Sequence, residues 1–131
     1  MGVGGRTYYK LKFFHNMTYT KFILSGSVNG QPILLNTSNS LNATPIHTSI
    51  TSSSAFDEIY LYATNNNTFG ITVTVCWGGT GSLNQLPINI PSSVGRVCIC
   101  DGVLLNNGLT ALVYATVTGS ILIDGFVNRI Q

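Results

Sequence analysis

Charge is what this chain has least of: only 8% of its 131 residues are Asp, Glu, Lys or Arg. Polarity comes instead from Asn, Thr, Ser and Gly, a balance that reads as an all-β protein with neutral surfaces. The six bases and four acids give a formal charge of +2. Arg6, Lys10, Lys12 and Lys21 precede every acid, so the basic character belongs to the N-terminal segment. Those bases and a sequence pI of about 8.5 fall short of a domain built for phosphate, and nucleic acid is not expected as a partner. At this length a single domain with one buried core is expected.

Targeting signals are missing too. Met1 leads into glycines and a basic, aromatic stretch rather than an apolar run before a cleavage site. Gly2 begins a myristoylation-like start, but position 6 is Arg where that motif needs Ser or Thr. The uncharged run from Gly102 to Ile123 is long enough to span a bilayer, yet Asn106, Asn107, Gly108 and four threonine or serine residues would meet lipid unpaired. No membrane span is expected. The N-x-S/T triplets at Asn16, Asn36, Asn42 and Asn66 are read as chance in a chain without a secretory leader.

Nor does any catalytic or metal-binding constellation form. RVCICDG places Cys98 and Cys100 one residue apart. In a regular strand they share a face, with α-carbons about 7 Å apart, at the limit for a disulfide. A zinc site would need Cys76 and one of only two histidines to complete a C-x-C pair of the wrong spacing. The expectation is three small apolar side chains in a wall, a bridge from Cys76 to Cys98 or Cys100 being the geometric alternative. Asp57 and Glu58 are adjacent, which sends them to opposite faces of a strand, and each is expected to be a surface charge; that is wrong for a paired-carboxylate site. Asp101-Gly102 reads as a turn and Asp124-Gly125 as a bulge. His15 and His47 have no Ser, Cys or carboxylate at catalytic spacing, and His47 is expected as a hydrogen-bonded loop or strand-end residue. WGGTGS lacks the Lys-Ser/Thr ending and following helix of a phosphate cradle. No catalytic, cofactor or metal residue is assigned, and the chain is expected not to be an enzyme.

What the chain does have is alternation. FDEIYLYAT sets Ile59, Leu61 and Ala63 against Glu58, Tyr60, Tyr62 and Thr64, and ITVTVCW sets Ile71, Val73, Val75 and Trp77 against Thr72, Thr74 and Cys76. With NNNTFG between them, the two runs are predicted to form a hairpin. Further strands are predicted at Leu86 to Ile90, in VGRVCIC, and in LTALVYATV and SILIDGFVNRI, with DGVLLNNG as a turn-rich link. Phe22 to Leu24, Ile33 to Leu35 and Ile46 to Ile50 supply shorter candidates. The inventory, about seven or eight short strands, is that of an antiparallel β-sandwich of jelly-roll type. Residues 1–24 read as a basic aromatic arm or first strand, and 25–131 as the sandwich domain.

NATPIHTSI, FDEIYLYATN, ITVTVCWGG, VLLNNGL and the terminal GFVNRIQ together resemble a group of small structural proteins of tailed bacteriophages. In that group an N-G-T-P-I-H-T-like segment precedes an F-D-E-V-Y-L strand, a V-x-W-G-G strand end, a V-L-N-G-G turn and a closing G-Y-V-N-R-I. The likeness spans roughly residues 42 to 131 and is interrupted at the cysteine-bearing strand, where that group tends to show valine and proline. The resemblance implies a β-sandwich component of the virion, assembled in the host bacterial cytoplasm, and most simply a capsid decoration or cement protein. Its implied partners are the major capsid protein or other virion proteins and further copies of itself, a trimer being the favoured oligomer. A tail, neck or fibre module gripping carbohydrate through Tyr60 and Tyr62 is the alternative.

The residues expected to contact those partners lie in TYYKLKFFH. Arg6, Tyr8, Tyr9, Lys10, Lys12, Phe13 and Phe14 crowd bases and aromatic rings together, with Tyr9, Leu11 and Phe13 on one face of an extended segment. Such an arm can add a strand to a neighbour's open sheet edge, or else be the first strand of its own sheet.

Overall fold

The computed structural model describes residues 17–131. Its strands are β1 (Tyr19–Phe22), β2 (Ile33–Leu34), β3 (Thr44–Thr48), β4 (Phe56–Asn65), β5 (Ile71–Trp77), β6 (Gln85–Ile90), β7 (Arg96–Leu105), β8 (Thr110–Ala115) and β9 (Ile121–Ile130). One sheet has the order β1-β9-β4-β7, with β2 also on β9, and the other the order β3-β8-β5-β6. Every pairing is antiparallel. Apart from β1–β2 and β5–β6, every link between consecutive strands crosses from one sheet to the other, which makes the sandwich a jelly roll. Nine strands fill eight positions because β1 and β2 lie end to end along β9, Phe22 opposite Val127 and Ile33 opposite Ile123. Among the described residues no helix is long and apolar enough to cross a membrane.

The hairpin predicted from FDEIYLYAT and ITVTVCW does not form: β4 belongs to the first sheet and β5 to the second. Alternation marks which face of a strand is apolar but not which strand lies beside it, and here the two apolar faces meet across the core. The crossing loop is pinned by Asn65, whose buried amide donates to the carbonyls of Phe69 and Ile90, both at 2.9 Å. Between the sheets, Ile59, Leu61 and Ala63 of β4 and Ile121, Ile123 and Val127 of β9 pack against Ile71, Val73 and Val75 of β5 and Val113 of β8. Trp77 continues the inward face of β5 but is only half-buried against the rim of this core.

Strand β7 runs straight through Asp101-Gly102, where a turn was predicted. Two register shifts against β4 leave Ile99 and Gly102 as extra residues, so Gly102, with φ +68°, is a bulge rather than a corner. The chain reverses later, at Asn107 and Gly108, whose φ values of 60° and 70° give the mirror-image turn closed by Leu109 N–H on the Asn106 carbonyl. The Ile99 bulge also overturns the shared face expected of the cysteines. Cys98 stands opposite Tyr62 and is exposed, whereas Cys100 stands opposite Leu61 and is buried. All three cysteines are free thiols.

The segment between β1 and β2, residues 23–32, forms a strap from the edge of the first sheet to β3 of the second. Gly26 donates to the Ile46 carbonyl at 2.9 Å, and Leu24 and Leu35 are fully buried beneath this flank. Asp124-Gly125 is not a bulge, since β9 keeps register with β4 throughout. Its glycine serves a close approach instead: a Cβ at Gly125 would collide with the Tyr60 carbonyl oxygen of the neighbouring strand. Gly125→Ala is therefore expected to cost at least about 3 kcal/mol, the top of the usual range for overpacking. Gly30→Ala, in the strap with φ +83° and open space around it, should cost only about 1–2 kcal/mol for the left-handed backbone. Urea denaturation of both variants measures this, and equal losses would mean that the close approach is absent.

Candidate functional site

The one cluster of ionisable side chains inside the described sandwich is His47, Asp57 and Arg129. Asp57 continues the apolar face of β4 and is fully buried, not the surface charge expected of it. Arg129 is its direct neighbour across the β4–β9 ladder. The guanidinium donates through Nε to Oδ1 at 2.7 Å and through Nη2 to Oδ2 at 2.9 Å. From β3 of the opposite sheet, His47 Nε2 reaches Oδ2 at 2.7 Å, and the Ile50 amide donates to the same oxygen at 3.1 Å. Four donors on two oxygens meet the carboxylate's hydrogen-bonding capacity, the condition under which a buried charge is tolerated.

His47 is equally committed. The Ser25 amide donates to its Nδ1 at 3.0 Å, which fixes the neutral tautomer with the proton on Nε2, facing Asp57. Ser25 Oγ accepts from the Thr48 amide at 2.7 Å, and the contact of Ser25 with the imidazole is through its backbone amide. A Ser, a His and an Asp thus meet without forming a nucleophile, because the serine contributes its backbone. On its outer side Arg129 lies over the Phe22 ring at 4.6 Å. Burial alone would raise the Asp57 pKa, but the hydrogen bonds from Arg129 and His47 outweigh it and hold the carboxyl below the ordinary 3.8. The same contact raises Arg129.

Outside the core, the two sheets present unlike faces. All seven charged residues of 17–131 lie in strands of the first sheet: Lys21, Asp57, Glu58, Arg96, Asp101, Asp124 and Arg129. On its outer surface Lys21 sits 4.7 Å from the centre of the Phe126 ring, and Phe126 stacks on Tyr60 at 4.6 Å with planes 14° apart. Arg96 covers Tyr62 at 5.0 Å and reaches over β4 to Asp124 at 2.7 Å. Tyr60 Oη donates to Glu58 at 2.9 Å, which raises its pKa. One face of the Tyr60 ring is stacked on Phe126 and one face of the Tyr62 ring is covered by Arg96.

The four strands of the second sheet hold no Asp, Glu, Lys or Arg. Outward there are Thr72, Thr110, Leu112, Tyr114, Gln85 and Asn89, with Tyr114 Oη donating to Gln85 at 2.9 Å across β5. That bridge spans the neighbours of Thr74 and Cys76, both buried although they face outward.

Of the residues singled out in the sequence, Arg6, Tyr8, Tyr9, Lys10, Lys12, Phe13, Phe14 and His15 lie outside the described residues. Cys76 and Cys100 are buried, and burial pushes both thiols up, Cys100 to about 11. Among the described residues no three of His, Cys, Asp and Glu converge as metal ligands. The Asp57–Arg129 pair was missed, although a signal existed: each shares the parity of the buried residues on its own strand.

Asp57→Asn is expected to cost about 3 kcal/mol, the lower end for breaking a buried pair, because Arg129 keeps some contact with water. The acid limb of stability provides a second reading. Since the folded pKa of Asp57 is depressed, its contribution is complete above about pH 4 and is lost as pH falls through the folded value. In Arg129→Met the burial penalty prevails and lifts the folded pKa above the unfolded one, which reverses the sign: the Asp57 contribution should then improve as pH falls through the raised value, so the deficit of this variant against the parent narrows in acid. Denaturation midpoints from pH 2 to 7 test this, and a deficit that stays constant across that range would count against the cluster. Comparison of the chain with family models, curated proteins and solved structures finds no match.

Proposed function

We propose that the chain is a non-enzymatic structural protein of a tailed-bacteriophage virion, a capsid decoration or cement protein that stabilises the shell through contacts between subunits. The observation that carries this reading is the segregation of charge: one whole sheet of the sandwich is neutral. Contact surfaces between proteins are depleted in charge at their centres, and a sheet whose outer face carries threonine, amide groups, Leu112 and Tyr114 without a charge matches that depletion. The buried ionisable cluster of His47, Asp57 and Arg129 holds strands together instead of facing a cleft. The sequence resemblance to phage structural proteins points the same way, and the aromatic, basic N-terminal arm supplies the second contact. The major capsid protein and further copies of this chain are the partners.

Particles lacking the protein, supplied with purified chain, provide the test. Binding should reach a copy number matching the capsid lattice rather than the few copies of a tail. The double variant Thr72→Glu/Asn89→Glu places two charges side by side on the neutral sheet, where the residues are direct neighbours. It should weaken binding at least about tenfold, since an interface must desolvate them. Thr64→Glu, on the sheet that already carries charge, should bind as the parent does. Equal binding by the double variant would remove the neutral sheet from the contact.

A further inference from the structure

The two flanks of the sandwich are finished differently. At the flank of β1, β2 and β3, Leu24 and Leu35 plug the core and are 1% and 0% exposed. At the opposite flank β6 and β7 are the last strands of their sheets, and side chains that face inward there remain in water. Leu86, paired with Val75, is 52% exposed, and Val103, paired with Ile59, is 46% exposed. Ile88 and Val97 are half-buried alongside them. Asp101, on the outward face of the same edge strand opposite Tyr60, is exposed and has no ion-pair partner among the described residues. This is an apolar strip with a lone acid at its margin, and a core that lacks a lid on one side.

The chain holds one stretch of matching chemistry that those residues do not account for. Sixteen residues precede Met17, and within them Tyr9, Leu11 and Phe13 alternate with Lys10 and Lys12. Residues 17–131 carry four acids against three bases, whereas the first sixteen carry three bases and no acid. The chain enters the fold at Thr18, bonded to Gln131 in both directions, beside β1 and so at the edge of the first sheet opposite β7.

We propose that the open β6–β7 flank receives the N-terminal segment of a neighbouring copy, with Tyr9, Leu11 and Phe13 over Leu86 and Val103 and the bases beside Asp101. A segment leaving one flank and a receiving strip on the other join copies head to tail, a contact that closes into a ring or extends over a lattice. The inference rests on the reading that the arm links subunits, and it names the surface that takes the arm.

The test uses the full chain on a Cys98→Ser background, which leaves only the buried thiols. One population carries Leu11→Cys and another Val103→Cys; the two are mixed and oxidised. A disulfide dimer containing one chain of each kind is expected. Leu86→Glu/Val103→Glu should abolish self-association as fully as removal of residues 1–16 does, while circular dichroism reports an unchanged fold. If that variant fails to fold, the mixed disulfide remains the deciding result. Val103→Cys chains bonding to one another would mean that the flank pairs with itself, and a bond confined to single chains carrying both substitutions would mean that each copy covers its own flank. Either result overturns the proposal. Loss of association on removing 1–16 but not in Leu86→Glu/Val103→Glu would leave the arm as linker and refute this flank as its receptor. Association untouched by the truncation would defeat both.

Discussion

The buried carboxylate of Asp57 is the constraint around which one side of this sandwich is arranged. It gathers β4 and β9 of one sheet, β3 of the other through His47, and the turn after β3 through the Ile50 amide. Through the second nitrogen of His47 it also latches the strap at Ser25. Burying a charge costs several kcal/mol, and its partners roughly restore that cost, so the net gain in stability is small. What the cluster provides is uniqueness: a slip of one residue between β4 and β9 would turn Arg129 to the outer face and strand Asp57 without a counter-charge. The register of the closing strand is thereby coupled to the seating of the strap.

With the internal charges committed, the remaining ones among the described residues sit on a single outer face. There the cation–π contacts of Lys21 and Arg96 and the exposed Arg96–Asp124 pair each contribute little, on the order of 1 kcal/mol or less. Their larger effect is on character: one sheet is charged and well solvated, the other neutral and easily desolvated. A small domain with faces this different can distinguish one sheet from the other in any contact it makes. That asymmetry follows from where the sequence spends its few charges, and it links the architecture to the proposed role in a shell.

The sandwich was legible from period-two alternation, since β4, β5, β8 and the two ends of β9 carry their buried apolar residues at every second position. Strand partnership was not, because β4 and β5 are neighbours in sequence yet pack face to face across the core. Asp101-Gly102 shows the same limit on a smaller scale, as a dipeptide suited to a turn fits a bulge equally well and only the partner strand decides between them. The cysteine strand was misread for a related reason: one inserted residue, Ile99, reverses the parity on which the shared face of Cys98 and Cys100 depended. The buried cluster was partly visible. The parity of Asp57 and of Arg129 pointed each inward, but their meeting depends on a pairing between strands separated by most of the domain, and His47 joins from another sheet.

The claim that this flank is locked by a fixed proton arrangement can be tested on His47 itself. Long-range ¹H–¹⁵N correlation of the imidazole at neutral pH reports which ring nitrogen carries the proton. The account requires protonated Nε2, slowly exchanging because it is buried against Asp57, and unprotonated Nδ1 accepting from a protected Ser25 amide. A ring protonated at Nδ1, or one averaging between tautomers with a rapidly exchanging Ser25 amide, would contradict it.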